Sequence, residues 1–251
     1  MLRGTLASLG GLVAAAVLGA SLSAHAQPVL RNFTPFGDTR GASNPAVGRY
    51  VAEGQSFIFD RSAADTSEAL LKFDDSPEVW VLQPSPAPGG VTLYRNDVGD
   101  PMVRVTRLGG VTLYTPREPE GVPVSLRGDA EDILLPPFLP GGVLLQRSAQ
   151  ASDRVSRVAA HAVTFEALNF TPNTSPLFLD AITITSDAIA RLTRRKEAKR
   201  FLTKLEKVVF VTGGRPDVGF SGAVLTITLT PGKGYAGRPS SDRITRVALK
   251  H

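Results

Sequence analysis

The densest group of chemically active side chains in this sequence is a run of cations in its last third. Residues 191–207 contain eight basic and two acidic residues. A surface with this charge can bind phosphate or carboxylate groups. The candidate anion-binding or partner-binding residues are therefore Arg191, Arg194, Arg195, Lys196, Lys199, Arg200 and Lys204. The alternative interpretation is a solvated helix face that binds no ligand.

A second group of polar side chains lies in the segment from Pro231 to Asp242. Its length and its five glycines and prolines predict a long hairpin loop. Loops of about a dozen residues are uncommon and sometimes functional. The candidate contacts in this loop are Lys233, Tyr235 and Arg238. A purely structural loop is the alternative.

Two acidic clusters could perform acid–base chemistry. They are Asp74 with Asp75, and Asp129 with Glu131 and Asp132; the candidate pair would come from Asp74, Asp75, Glu131 or Asp132. A carboxylate pair facing across a cleft, roughly 5–10 Å apart, would allow metal-independent hydrolysis of a glycan. Neither cluster has the alternating spacing of a calcium-binding loop, and each adjoins a turn or linker. We interpret both as solvated groups and keep the hydrolase as the alternative function.

The composition excludes several classes of site. The chain has 251 residues, a net charge of +5, no Cys and three His. Disulfides, thiolate zinc sites, cysteine nucleophiles and C-x-x-C-H haem attachment all require Cys. His25 lies in a predicted leader and His251 is the last residue, so His161 is left as a lone imidazole. We therefore expect no metal, no cofactor and no catalytic residue.

The N-terminal segment predicts export. Arg3 precedes an uncharged run from Leu6 to Leu22, and Ala24-His25-Ala26 supplies a small-x-small cleavage pattern. Residues 1–26 are thus a predicted signal peptide cleaved after Ala26, and residues 27–50 a predicted extended arm. We expect a periplasmic or secreted protein with no transmembrane segment after cleavage. A nucleic-acid partner is not expected in that compartment.

The middle of the chain carries the pattern of an antiparallel β-meander, residues 51–127. The hexapeptide Gly-Gly-Val-Thr-Leu-Tyr occurs at 89–94 and again at 109–114, which places the copies in successive hairpins. In each copy Leu93 or Leu113 is predicted to face the core, and Tyr94 or Tyr114 the opposite side. The Pro/Gly-rich segment 128–142 is a predicted linker or crossover.

The region 143–251 has a different pattern, read as αββαβββ with helices on one face of a sheet. Residues 148–160 predict a helix, 163–167 and 181–185 predict strands, and 186–206 predict a basic helix. Three further strands are predicted at 207–212, 223–230 and 243–249. The apolar positions of the basic helix change phase, so it either kinks near residues 193–195 or contacts two surfaces. The fold class is α+β, and this region either forms one domain with 51–127 or a separate one.

Three features resemble a family of secreted alphaproteobacterial proteins that carry a domain of unknown function. They are the leader, the segment 71–114 with its repeated hexapeptide, and the segment 220–242. The resemblance covers most of residues 50–250 and implies no activity and no catalytic residue. The expected function is a non-catalytic envelope-associated protein that binds or scaffolds through a sheet surface and the basic helix. Its expected partner is an anionic component: a lipid headgroup, lipopolysaccharide or an acidic protein.

Overall fold

The computed structural model describes residues 47–52, 54–62 and 68–251, all within one compact unit, Gly41–His251. The predicted signal peptide and most of the predicted arm lie outside the described residues. The first eight strands are β1 (Val47–Ala52), β2 (Gln55–Asp60), β3 (Ala69–Phe73), β4 (Val79–Ala87), β5 (Val91–Arg95), β6 (Pro101–Val105), β7 (Val111–Leu113) and β8 (Val122–Asp129). The later elements are α1 (Gly141–Ala159), β9 (Thr164–Ala167), α2 (Ser175–Leu192), α3 (Lys199–Lys204), β10 (Lys207–Thr212), β11 (Asp217–Ser221), β12 (Val224–Leu229) and α4 (Ser241–Ala248), with 3₁₀ turns at Lys196–Ala198 and Gly234–Gly237.

Strands β1–β8 form a closed antiparallel barrel, which is more specific than the predicted meander. Each strand pairs with the next, and β8 pairs back to β1 through Tyr50 opposite Leu126 and Gly48 opposite Asp129. Closure leaves no unpaired strand edge. Residues 47–50, which the sequence placed in the arm, belong to β1 because Tyr50 is part of the barrel core, only 1% exposed.

Apolar side chains pack the barrel interior. The buried cluster comprises Tyr50, Phe57, Phe59, Ala69, Leu71, Phe73, Leu82, Met102, Val103, Val111 and Leu113. The Tyr50 and Phe57 rings stack with centroids 5.6 Å apart, and Tyr94 meets Phe59 edge to face at 5.0 Å. An eight-stranded barrel encloses an interior that side chains can fill. The barrel core is therefore a packed structural element.

The two copies of the repeated hexapeptide occupy successive hairpins but present opposite faces to the core. In β7, Leu113 lies opposite buried Val103 and is fully buried. In β5, Tyr94 lies opposite Val103, whereas Leu93 lies opposite Arg104 on the outer side. The prediction is therefore confirmed for Leu113 and wrong for Leu93, because directly paired residues share a face of the sheet.

The turns explain the inversion. Ala87 pairs with Val91 around the three-residue turn 88–90, in which Gly89 and Gly90 have φ of 77° and 71° and Gly90 holds the third position. In the second hairpin Thr106 pairs with Gly110 around the turn 107–109, and the positive φ at the third position belongs to Gly109. Such a turn requires a left-handed residue at that position, which favours glycine. The second copy uses the first Gly of its pair there, so its strand is shifted by one residue and every side chain changes face.

The remaining strands form a four-stranded sheet in the order β11-β12-β10-β9. β10 is parallel to β9 and β12, and β11 is antiparallel to β12. The core joins one face of this sheet to all four helices, through alternate strand residues such as Phe210, Leu225 and Ile227. The opposite face carries half-exposed Val209, Thr226 and Thr228. The mixed α+β class is confirmed.

Two predicted strands are helices, so the order αββαβββ is wrong. Residues 181–185 lie inside α2, whose β-branched side chains imitate a strand pattern while the helix is buried on several sides. Residues 243–249 fall in α4 and the residue that caps its C-terminus, Leu249. Ser240 caps the start of α4 by accepting a hydrogen bond from the Arg243 amide at 3.1 Å. Conversely, β11 was missed, and α1 begins inside the predicted linker, at Gly141.

Candidate binding site

The cations of the 191–207 run lie on a corner between two helices. α2 ends at Leu192, Arg195 is extended, and a 3₁₀ turn then leads into α3. Buried Ala198, Phe201 and Leu202 anchor this second segment in the core. The predicted single helix 186–206 is therefore wrong: it is interrupted at residues 193–198, where the sequence predicted a kink as one of two alternatives. The interruption arises because apolar residues on both sides of the break must reach the same core although they differ in helical phase.

This corner carries six exposed cations and one exposed carboxylate, Glu197. We call it the basic corner, and it comprises the exposed residues Arg194, Arg195, Lys196, Lys199, Arg200 and Lys204. None of the six forms an ion pair with another described residue. Lys196, Lys199 and Arg200 follow a spacing of three and four, which places them on the same side of the helix. The positive charge is therefore available to an external anion.

Arg191, the seventh candidate, differs from the other six. It lies in the last turn of α2 with its side chain 54% exposed, and its Nη2 is 3.9 Å from Oε2 of buried Glu78. It thus borders the basic corner while facing the barrel. Part of its charge compensates Glu78.

A groove of about 550 Å³ lies where the end of the barrel meets the segment after β12. Two of the three predicted loop contacts, Lys233 and Tyr235, line it. Its apolar wall comes from Leu70 in β3 and from residues 133–135, which follow the barrel. The predicted hairpin loop is instead a 3₁₀ turn leading directly into α4.

Gly237 closes this segment against the end of β12. Its carbonyl oxygen accepts a hydrogen bond from the Thr230 amide at 2.7 Å. A Cβ at position 237 would lie 2.3 Å from the Thr230 carbonyl oxygen, so only glycine fits without a backbone shift. This close approach helps to set the positions of Tyr235 and Arg238.

The third loop candidate, Arg238, is a structural residue and not a groove contact. Its side chain is only 2% exposed and pairs with Asp180 of α2 through Nε. Its Nη2 donates to the Val79 carbonyl of β4 at 2.7 Å, and its Nη1 lies 4.0 Å from Glu78. Glu78 also accepts a hydrogen bond from the Ser241 amide at 2.8 Å. One buried guanidinium therefore joins the barrel, α2 and the start of α4.

Further charged contacts attach α4 to the turn between β5 and β6. Arg246 pairs with Asp100 at 2.6 Å, and Arg243 pairs with Asp97 at 3.0 Å. Asp97 also accepts from the Ser240 amide at 3.0 Å. No sequence pattern predicted this contact, because the partners lie more than 140 residues apart.

Burial and the nearby Asp180 carboxylate raise the pKa of Tyr235 to about 12, although Arg238 lowers it in part. The unfolded chain ionises this phenol near its ordinary value of 10.0. We therefore expect the phenol to favour the folded state fully below pH 10 and this contribution to be lost as the pH rises towards 12. In an alkaline absorbance titration, Tyr235→Phe should remove an ionisation step near pH 12. Loss of a step near pH 10 instead would contradict the assignment.

The candidate carboxylates do not assemble into one cleft. Asp74 and Asp75 lie in the turn before β4, whereas Glu131 and Asp132 follow β8. In this up-and-down barrel β4 and β8 run in the same direction, so the start of one and the end of the other are at opposite rims. Asp74 is paired with Arg49 at 2.6 Å. A pair that takes one carboxylate from each cluster is therefore not formed.

The lone imidazole has a structural position. Nδ1 of His161 lies 3.0 Å from the Ala159 carbonyl oxygen, and Nε2 lies 2.7 Å from that of Leu205. The ring thus connects the end of α1 to the end of α3. Within the described ranges, no cluster of three or more potential metal ligands occurs. No helix in this part of the chain is both long and apolar enough to cross a membrane.

A family model for a domain of unknown function, DUF4908, matches residues 30–248. The chain belongs to the DUF4908 family. No curated protein and no solved structure matches it. The match spans both the barrel and the helix-covered sheet, so the DUF4908 region includes the groove and the basic corner. The resemblance to a domain-of-unknown-function family noted from the sequence is confirmed.

Proposed function

We propose that this DUF4908 protein is an exported, non-catalytic envelope protein that binds an anionic lipid surface through its basic corner. The observation that carries the proposal is the set of six exposed cations without an ion-pair partner among the described residues. The open face of the four-stranded sheet offers a second surface for scaffolding. Export rests on the predicted signal peptide, residues 1–26, and would place the protein in the periplasm or outside the cell.

The arrangement of the cations favours a lipid surface over a single small anion. The six side chains are spread over the turn after α2, the 3₁₀ turn and α3, and none has a side-chain hydrogen bond to another described residue. A bilayer presents many mobile headgroups and can satisfy such a dispersed array. Near an anionic membrane each Lys or Arg contributes about 1 kcal/mol to binding.

The proposal predicts a large loss of binding when the corner is neutralised. We expect replacement of Arg194, Arg195, Lys199 and Arg200 by Gln to reduce affinity for phosphatidylglycerol vesicles by roughly three orders of magnitude, since four contributions of about 1 kcal/mol are lost. Raising the salt to 1 M should have a similar effect on the unmodified protein, because the screening length falls to about 3 Å. Vesicle flotation, corrected for flotation with phosphatidylcholine vesicles, measures both effects.

The matched control replaces Arg107, Arg117, Arg127 and Arg147 by Gln. These four arginines are also exposed but lie on separate elements, and the net charge changes by the same amount. The control variant should retain most of the binding. Equal losses in the two variants would show that only net charge matters, and equal flotation of the unmodified protein and the corner variant would contradict the proposal. Binding to an acidic protein without binding to anionic vesicles would overturn the lipid assignment.

A further inference from the structure

We propose that the groove beside Tyr235 binds a small amphipathic molecule with an apolar body and an anionic head. The apolar body would lie against Leu70, Leu134 and Leu135, and the head would pair with Lys233. This inference is independent of the basic corner. The corner precedes the start of β10, whereas the groove lies beyond the end of β12, which runs parallel to β10.

The apolar wall is held open to solvent. Ile133 is fixed because its amide donates to Oδ2 of Asp60 at 3.0 Å. Leu134 is fixed because its carbonyl oxygen accepts a hydrogen bond from the Tyr235 hydroxyl at 3.3 Å. Between these two anchors the Leu134 side chain remains 76% exposed. An apolar ligand would remove this surface from water without first reorganising the wall.

Among the described lining residues the groove has two carboxylates, Asp60 and Glu68, and one cation, Lys233. Both carboxylate oxygens of Asp60 already accept hydrogen bonds, from Ser62 and Ile133. Glu68 accepts a hydrogen bond from the Gln83 amide at 2.5 Å. Lys233 is exposed and has no ion-pair or hydrogen-bond partner among the described residues. It is therefore the charged group of the groove most available to a ligand.

The size of the groove suits a single small molecule. Its volume of about 550 Å³ lies within the range of roughly 300–1,000 Å³ that is typical of small-molecule sites. Such sites combine a mainly apolar lining with a few polar groups that orient the ligand. In this groove the apolar lining comes from Leu70, residues 133–135 and Ala236. The orienting polar groups are Lys233 and the edge of the Tyr235 ring.

Dodecanoate, used at concentrations where it is monomeric, provides the test. Calorimetry of the full chain should show saturable binding that Lys233→Gln weakens about tenfold, the loss expected for one charge-assisted contact. Leu134→Glu should weaken it at least as much, since it adds a negative charge to the apolar wall. Glu68→Gln should leave binding unchanged or strengthen it, because it removes a like charge.

Two control variants separate the groove from general effects. Lys250→Gln removes an exposed cation from another surface, and Leu108→Glu changes a Leu that is 96% exposed in a barrel turn. Neither should alter dodecanoate binding. The variants at Lys233, Leu134, Lys250 and Leu108 should unfold at the same urea concentration as the unmodified protein, because these four side chains are exposed. Absence of saturable binding, equal weakening by Lys233→Gln and Lys250→Gln, or tighter binding of dodecyltrimethylammonium would each overturn the proposal.

Discussion

Replacing Arg238 by Met should lower the free energy of unfolding by about 3–5 kcal/mol, the loss typical when one partner of a buried ion pair is removed. The Arg238 side chain is 2% exposed and the Glu78 side chain 3% exposed. Without the guanidinium, buried Glu78 would keep only the more distant Arg191, 3.9 Å away, and Asp180 would lose its ion-pair partner. Urea unfolding followed by circular dichroism measures the change.

Arg191→Met is the matched control, because Arg191 also approaches Glu78 but is 54% exposed. Arg191→Met should lower the free energy of unfolding by no more than about 1 kcal/mol, as is typical of exposed ion pairs. Adding Asp180→Asn to Arg238→Met should recover part of the lost stability, since it removes one uncompensated charge. Similar losses for Arg191→Met and Arg238→Met would show that the buried network does not join the barrel to the helices as described.

The second large loss of stability is expected in the repeated hexapeptide. Leu113→Ala should cost about 2–5 kcal/mol of unfolding free energy, the range for truncating a buried Leu. Leu93→Ala should cost much less, because its side chain lies opposite Arg104 on the outside of the barrel. Tyr94→Ala should exceed Leu93→Ala, since the Tyr94 ring packs edge to face on Phe59. The same urea titration measures all three variants.

The two copies of the hexapeptide are identical, so the local β-propensity is the same at each pair of equivalent positions. Any difference between Leu93 and Leu113 therefore reports tertiary position alone. If the two Leu→Ala variants lost equal stability, the one-residue offset between the hairpins would be contradicted. Tyr114→Ala, on the outer side of β7, completes the set and should cost less than Tyr94→Ala.

Several features of the fold were predictable from sequence because they depend on local pattern. The alternation in 207–212 predicted β10 at its observed bounds, and the alternation of Leu225, Ile227 and Leu229 with Thr predicted β12 within one residue at each end. The phase change of apolar residues predicted the break near residues 193–195. The excess of cations predicted an exposed basic surface, since unpaired Lys and Arg are rarely buried.

The helices at 181–185 and 243–249 were not predictable in this way. Short runs that alternate β-branched and other residues fit a strand and a buried helix equally well. Burial on several sides decides the first in favour of α2, and the Ser240 cap with its contacts to Asp97 decides the second in favour of α4. In the same way, Arg238 is identical in type to the exposed cations, and only its distant partners make it structural.

By itself, then, the sequence determined the α+β class, the existence of most strands, the basic corner and the absence of any cysteine-dependent chemistry. Only long-range contacts determined barrel closure, the groove, the position of Lys233 in its lining and the structural role of Arg238. They also determined which Gly of each pair holds the third turn position, Gly90 or Gly109, and therefore which face of each copy is buried. The physical reason is that propensity and periodicity act over a few residues, whereas strand pairing, register and charge compensation depend on residues far apart in the chain.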